Sequence, residues 1–175
     1  HIRLIGLITV FILTTRIVCA SVTAEKLGTV SFSNSGNNKV QKHFLRGVAA
    51  LHSFWYPEAL AEFEKTTKAD PNFAMGYWGQ AMTYNHPLWE EQDLKSARAA
   101  LSKIPSTLNI TKREQDYIHA TRLLFGKGNK TIRDEGYSKA MESIYKNYPK
   151  DLEAACFYSL SLLGIAKNSE NKLPL

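Results

Sequence analysis

Two histidines, three tryptophans and one internal cysteine carry most of the chemistry this sequence offers. His52-Ser53-Phe54-Trp55 is echoed thirty-four residues on by His86-Pro87-Leu88-Trp89. Imidazoles at equivalent places on neighbouring helices would lie about 10 Å apart. With Glu90 or Glu91 they would supply the nitrogen and oxygen donors that a metal ion takes. The spacing matches no established metal motif, and a helix-terminal histidine donating to a backbone carbonyl is the plainer account. Trp55, Trp78 and Trp89 could wall a ligand cage, but at helical spacing aromatic residues read first as packing between repeats. Cys156 sits inside an apolar helical pattern and reads as a buried, inert thiol. The sequence holds no Gly-x-Ser-x-Gly, no phosphate-cradling glycine loop and no His-Glu-x-x-His. Glu90-Glu91 and Asp134-Glu135 fall near helix starts, where acids complement the dipole. The inventory yields no catalytic residue, no metal ligand and no cofactor.

The elements that must position these residues are helical. Apolar residues recur at helical spacing from Val40 to Ala166, and no segment alternates strictly. The pattern predicts seven helices, at about 39–53, 57–69, 71–85, 88–103, 111–125, 131–147 and 151–166, with no strand pair. Asp70-Pro71 reads as an N-cap followed by a first-turn proline. Thr111-Lys112-Arg113-Glu114 reads as a capping box, and Asp151 caps the last helix. The expected fold class is all-α.

A thirty-four-residue period marks a stacked helix–turn–helix array. Pro71 and Pro105 repeat at that interval, and Tyr77, Ala81 and Tyr84 fall one period after His43, Gly47 and Ala50. Gly47, Tyr56, Ala59, Phe63 and Pro71 resemble the tetratricopeptide (TPR) pattern, including its Ala-x-x-x-Phe step. The likeness is closest over Leu51–Ala59, Ala74–Trp89 and Tyr148–Ala154. There it is similar to the N-terminal part of large, exported TPR proteins for which no activity is established. It covers about residues 40–166 and implies a helical-hairpin solenoid of about three and a half repeats, with 167–175 a polar tail. Family members continue through many more repeats, and the segment 151–166 is apolar on nearly every face. The chain therefore reads as a fragment.

The resemblance also implies that the first helix of each repeat lines a concave groove, which places Phe44, Val48, His52, Met75, Trp78, Met82 and His86 on that face. Apolar side chains gathered on an open face mark an interaction site. Filling of the groove by the leader or by missing repeats is the alternative. The implied role is a non-catalytic scaffold for a protein or peptide partner. The rival is the N-terminal scaffold of a larger enzyme or metal-binding protein.

Composition narrows the partner. The net charge of +6 falls to +4 beyond residue 24, and the Lys and Arg are interleaved with acids. Nucleic-acid binding calls for a clustered basic stripe, which is missing. Arg3, an apolar run from Leu4 to Leu13 and the small residues Val18 and Ala20 resemble a secretory signal peptide over residues 1–20. A polar leader occupies 21–38, so the expected location is secreted or periplasmic. The apolar run is shorter than the roughly 20 residues that a membrane span needs. Asn109 and Asn129 each begin an N-glycosylation sequon in an expected loop.

Overall fold

Local chemistry sets several of the helix starts in the computed structural model, which describes residues 27–106 and 110–170. Seven helices lie among the described residues: α1 (Asn38–His52), α2 (Tyr56–Ala69), α3 (Ala74–Met82), α4 (Leu94–Ser102), α5 (Lys112–Leu124), α6 (Lys130–Asn147) and α7 (Leu152–Glu170). The expected all-α class holds. The proposed signal peptide, residues 21–26 of the leader, Asn109 and residues 171–175 lie outside the described residues. Residues 167–170 of the expected polar tail belong to α7.

Caps account for several boundaries. Asn37 accepts from the Lys39 N–H at the start of α1, and Asn129 from the Ile132 N–H at the start of α6. Asn129 is thus an exposed N-cap, the first residue of its sequon standing at a helix start. Thr111 and Glu114 complete the capping box of α5. Asp151 accepts from the Ala154 N–H at 3.3 Å in the first turn of α7.

The third and fourth helices are shorter than expected. Asp70 does not cap α3: its carboxylate accepts from the Asn72 N–H and from Asn37 Nδ2, which shapes a turn, and the helix waits until Ala74. After α3 the chain makes two short strands that the helical pattern does not predict, β1 (Asn85–His86) and β2 (Glu91–Gln92). They pair antiparallel, Asn85 with Gln92 and His86 with Glu91. The cause is Pro87, which lacks an N–H and pushes the residue before it into extended backbone. Glu90, at φ 59°, turns the chain back. Asp93 then caps α4 by accepting from the Ser96 N–H, so that helix begins at Leu94.

Phe63 of α2 fastens the first three helices together. Its ring is fully buried and lies against Gly47 of α1 and Gly79 of α3. A Cβ at Gly47 would stand 2.7 Å from the ring and one at Gly79 2.3 Å, so both helices need glycine to approach this closely. Along the sequence α1 packs on α2, α2 on α3, α3 on α4, α5 on α6 and α6 on α7, while α3 also meets α1 and α5. The face of α7 opposite these contacts leaves Leu152, Leu162 and Leu163 exposed. Cys156 is exposed as well, against expectation, because α7 turns Ala154 and Phe157 inward on its other stripe.

Glu62 ties α1 to α2 by charge. Its buried carboxylate accepts from Lys65 Nζ at 2.6 Å and meets His43 Nδ1 at 2.6 Å. Burial alone raises this carboxyl, yet the bonds from Lys65 and His43 outweigh it and leave the group below the ordinary glutamate range.

Phe63→Ala opens a cavity between three helices and is expected to cost about 3–5 kcal/mol, read from the urea midpoint. A loss under about 1 kcal/mol would show that Phe63 is not the fastening. Glu62 makes a pH-dependent contribution instead. Because its folded pKa lies below its unfolded value, its stabilisation is whole above about pH 4.3 and drains away as pH falls through the folded value. Glu62→Gln therefore destabilises the chain at neutral pH, and its cost shrinks as pH falls below the ordinary glutamate range. A pH-independent cost would assign the loss to packing.

Candidate functional site

One face formed by α1, α3, α5 and α7 collects most of the residues expected to line a groove, and the chain itself covers it. Residues 27–37 cross this face as a strap. Val30, Phe32 and Asn34 turn inward while Thr29, Ser31 and Ser33 are exposed, the two-residue alternation of extended backbone. The leader expected over 21–38 is therefore, from residue 27 on, a packed element.

Phe32 is its anchor. The ring centroid lies 5.3 Å from Phe44, 5.4 Å from Trp78 and 5.1 Å from Tyr117, so one side chain touches three successive helices of the face. The Arg113 guanidinium covers it at 4.3 Å. Arg113 also donates to the Ser33 carbonyl at 2.7 Å and to Asp151 Oδ2 at 2.6 Å, linking strap, α5 and the start of α7. Tyr117 donates to the same Asp151 oxygen at 3.0 Å, and burial pushes its phenol well above the usual tyrosine range. Glu114, fully buried, takes four donors: the Ser35 N–H and hydroxyl at 2.9 Å on one oxygen, the Thr111 N–H and hydroxyl at 2.8 Å on the other. A buried carboxylate is tolerable only with its lone pairs satisfied in this way.

The far end of the face is closed by α7. Phe157 packs against Trp78 at 5.6 Å and against the His52 ring at 4.9 Å. Glu153, buried on α7, hydrogen-bonds His52 Nε2. Between α1, α6, α7 and the β-hairpin remains a cavity of about 30 Å³, lined by Leu51, Met82, Tyr137 and Phe157 among others. That is room on the order of a water molecule or two and no more.

The expected groove residues therefore divide. Phe44, Val48, Met75, Trp78 and Met82 are no more than 5% exposed and belong to the core, a correction to their reading as an open surface and in line with the alternative in which the leader fills the groove. Phe32 seats on Phe44 and Trp78, and Phe157 on Trp78 from the other end, while all five belong to the one buried apolar cluster. His52 and His86 stay partly exposed and go to different carboxylates. His86 stacks on Tyr56 at 3.9 Å, donates from Nε2 to the Thr83 carbonyl at 3.0 Å and faces Glu91 at 3.3 Å. The carbonyl contact is the plainer role expected of a helix-terminal histidine. The two imidazoles do not converge on Glu90 or Glu91, and among the described residues no three His, Cys, Asp or Glu side chains group as metal donors. The tryptophans divide too: Trp78 is core packing, whereas Trp55 and Trp89 are exposed.

Sequence reasoning missed Phe32, Arg113, Glu153 and Phe157 as parts of this face. The one visible signal was Phe32 itself, a large aromatic set between Val30 and small polar residues in a segment otherwise read as a leader.

Compared with protein-family models, curated proteins and solved structures, the chain has no significant match in any of the three.

Trp78→Ala discriminates core from open surface. Burial against Phe32, Phe63 and Phe157 predicts a loss of about 3–5 kcal/mol and a lower melting temperature. A variant with unchanged stability would return Trp78 to the surface reading.

Proposed function

We propose that the chain is an exported, non-catalytic TPR-type scaffold whose helical face receives an extended segment of a protein or peptide partner. The period of thirty-four residues and the sequential packing of α1 to α4 support the repeat reading. The signal-like residues 1–20 support export. No helix among the described residues is long and apolar enough to cross a membrane. Binding on this face requires neither a metal nor a cofactor, and the interleaved charges favour a protein over a nucleic acid.

One observation carries the reading. The face already holds an extended segment, residues 27–37, by one aromatic anchor and by side-chain bonds to strap backbone at Ser33 and Ser35. Apolar pockets for alternate side chains with polar groups on the main chain are how grooves hold peptides. The strap is the intramolecular occupant, and a partner's segment uses the same anchors in its place.

Phe32→Ala loosens the strap and leaves the receiving residues intact. A synthetic peptide spanning Leu27–Asn37 then binds the variant, seen as a melting temperature that climbs with peptide concentration. It does not bind the unaltered chain, whose face is filled. A folded Phe32→Ala protein indifferent to the peptide would retire this face as a binding site.

A further inference from the structure

Away from the strap, the turn between α1 and α2 and the β-hairpin together present a second surface. Trp89 is 54% exposed and Phe54 and Trp55 are each 37% exposed; Phe54 and Trp89 pack against Tyr56, whose ring stacks on His86. The rings brace one another edge to face: Phe54 and Trp89 at 5.8 Å and 75°, Tyr56 and Trp89 at 6.3 Å and 81°. Phe54, Tyr56 and Trp89 therefore brace one another in one cluster that leaves Phe54 and Trp89 exposed, and the exposed Trp55 stands between Phe54 and Tyr56 in the chain.

Two further observations mark this surface. Phe54 at φ 55° and Glu90 at φ 59° are the two non-glycine residues with positive φ among those described. For a bulky aromatic that region is unfavourable, and such strain gathers where a structure holds a side chain for use. Both residues sit in the turns that build the patch. The second observation is charge. On a chain of net charge +6, residues 52–58 and 86–93 contain Glu58, Glu90, Glu91 and Asp93 and no Lys or Arg. Arg46 of α1 pairs with Glu58, and Lys167 of α7 donates to the Leu88 carbonyl and sets one positive charge beside the hairpin, against the three acids Glu90, Glu91 and Asp93. The Glu91 side chain is 72% exposed.

We propose that Phe54, Trp55 and Trp89, rimmed by Glu90 and Glu91, form a docking surface for an arginine-bearing, basic segment of a partner protein. An exposed indole attracts a guanidinium through its ring quadrupole. A carboxylate beside it accepts the same group's N–H donors, two at once when the planes align. Anionic lipid and nucleic-acid surfaces call for Lys and Arg at the contact, the reverse of what stands here. This surface is separate from the strap-covered face and does not depend on it.

The test uses the full chain and the peptide acetyl-Gly-Arg-Gly-Arg-Gly-Arg-amide, monitored by the indole N–H signals of the tryptophans in NMR. Saturable shifts at Trp55 and Trp89, with Trp78 unmoved, are expected. They weaken when salt is raised to about 0.5 M, and the lysine counterpart binds less tightly. Trp89→Ala lowers affinity by roughly tenfold or more. Glu91→Gln, an exposed change that leaves the fold intact, lowers it several-fold and provides the reading if the tryptophan variant is unstable. Absence of saturable shifts, an equal response to a glutamate-for-arginine peptide, or affinity unchanged by Glu91→Gln would overturn the proposal. So would preferential binding of phosphatidylserine vesicles or of a neutral oligosaccharide at the same signals.

Discussion

The described fold converges on the indole of Trp78. Rings from the strap, α1, α2, α5 and α7 approach it: Phe32 at 5.4 Å, Phe44 and Phe63 at 6.5 Å, Tyr117 at 5.7 Å and Phe157 at 5.6 Å. These are the offset and edge-to-face separations that aromatic pairs favour. Because the five partners come from five different elements, the strap, α1, α2, α5 and α7 are all referred to one side chain of α3. The glycines on either side of Phe63, Gly47 and Gly79, answer that demand for closeness.

Charge is used in the same economical way at the edges of this core. Arg133, buried on α6, donates to the Leu124 and Gly128 carbonyls and to Gln92, and Gln92 in turn reaches Asn85 and Asp134. The little β-hairpin thus hangs on α6 through amide and guanidinium bonds. Each buried polar group in this network has partners, and that is the condition under which such groups rigidify a structure instead of weakening it.

Much of the scaffold was legible in the sequence because its signals are local. Thr111 and Glu114, Asp151 and the apolar stripes from Val40 onward announce their helices through nearest neighbours. The β-hairpin was hidden because Pro87 marks the end of a helix but not the conformation beyond it, and two-residue strands leave no periodicity. The strap was hidden for another reason. Phe32 has no local reason to be buried; its partners Phe44, Trp78 and Tyr117 are supplied by distant helices. The same holds for His52, whose carboxylate partner Glu153 lies 101 residues away. Placing Phe44, Val48, Met75, Trp78 and Met82 together on one face was within reach of the repeat register. The sequence left open and filled grooves as alternatives, and choosing between them, with Phe32 as the anchor, required the fold.

The strap also sets an order of events during synthesis. Residues 27–37 are made before any of the described helices, but the groups that hold them are made much later: Arg113 and Glu114 stand about eighty residues farther along the chain. Contacts of such wide sequence separation carry a loop-closure cost and form late. Until α5 has been made, Phe32 has no complete pocket, and the aromatic residues of α1 and α3 that will cover it stay open to solvent. The earliest described part of the chain to be built is thus among the last to be secured, and for the interval between the nascent protein exposes the aromatic surface that the finished one conceals.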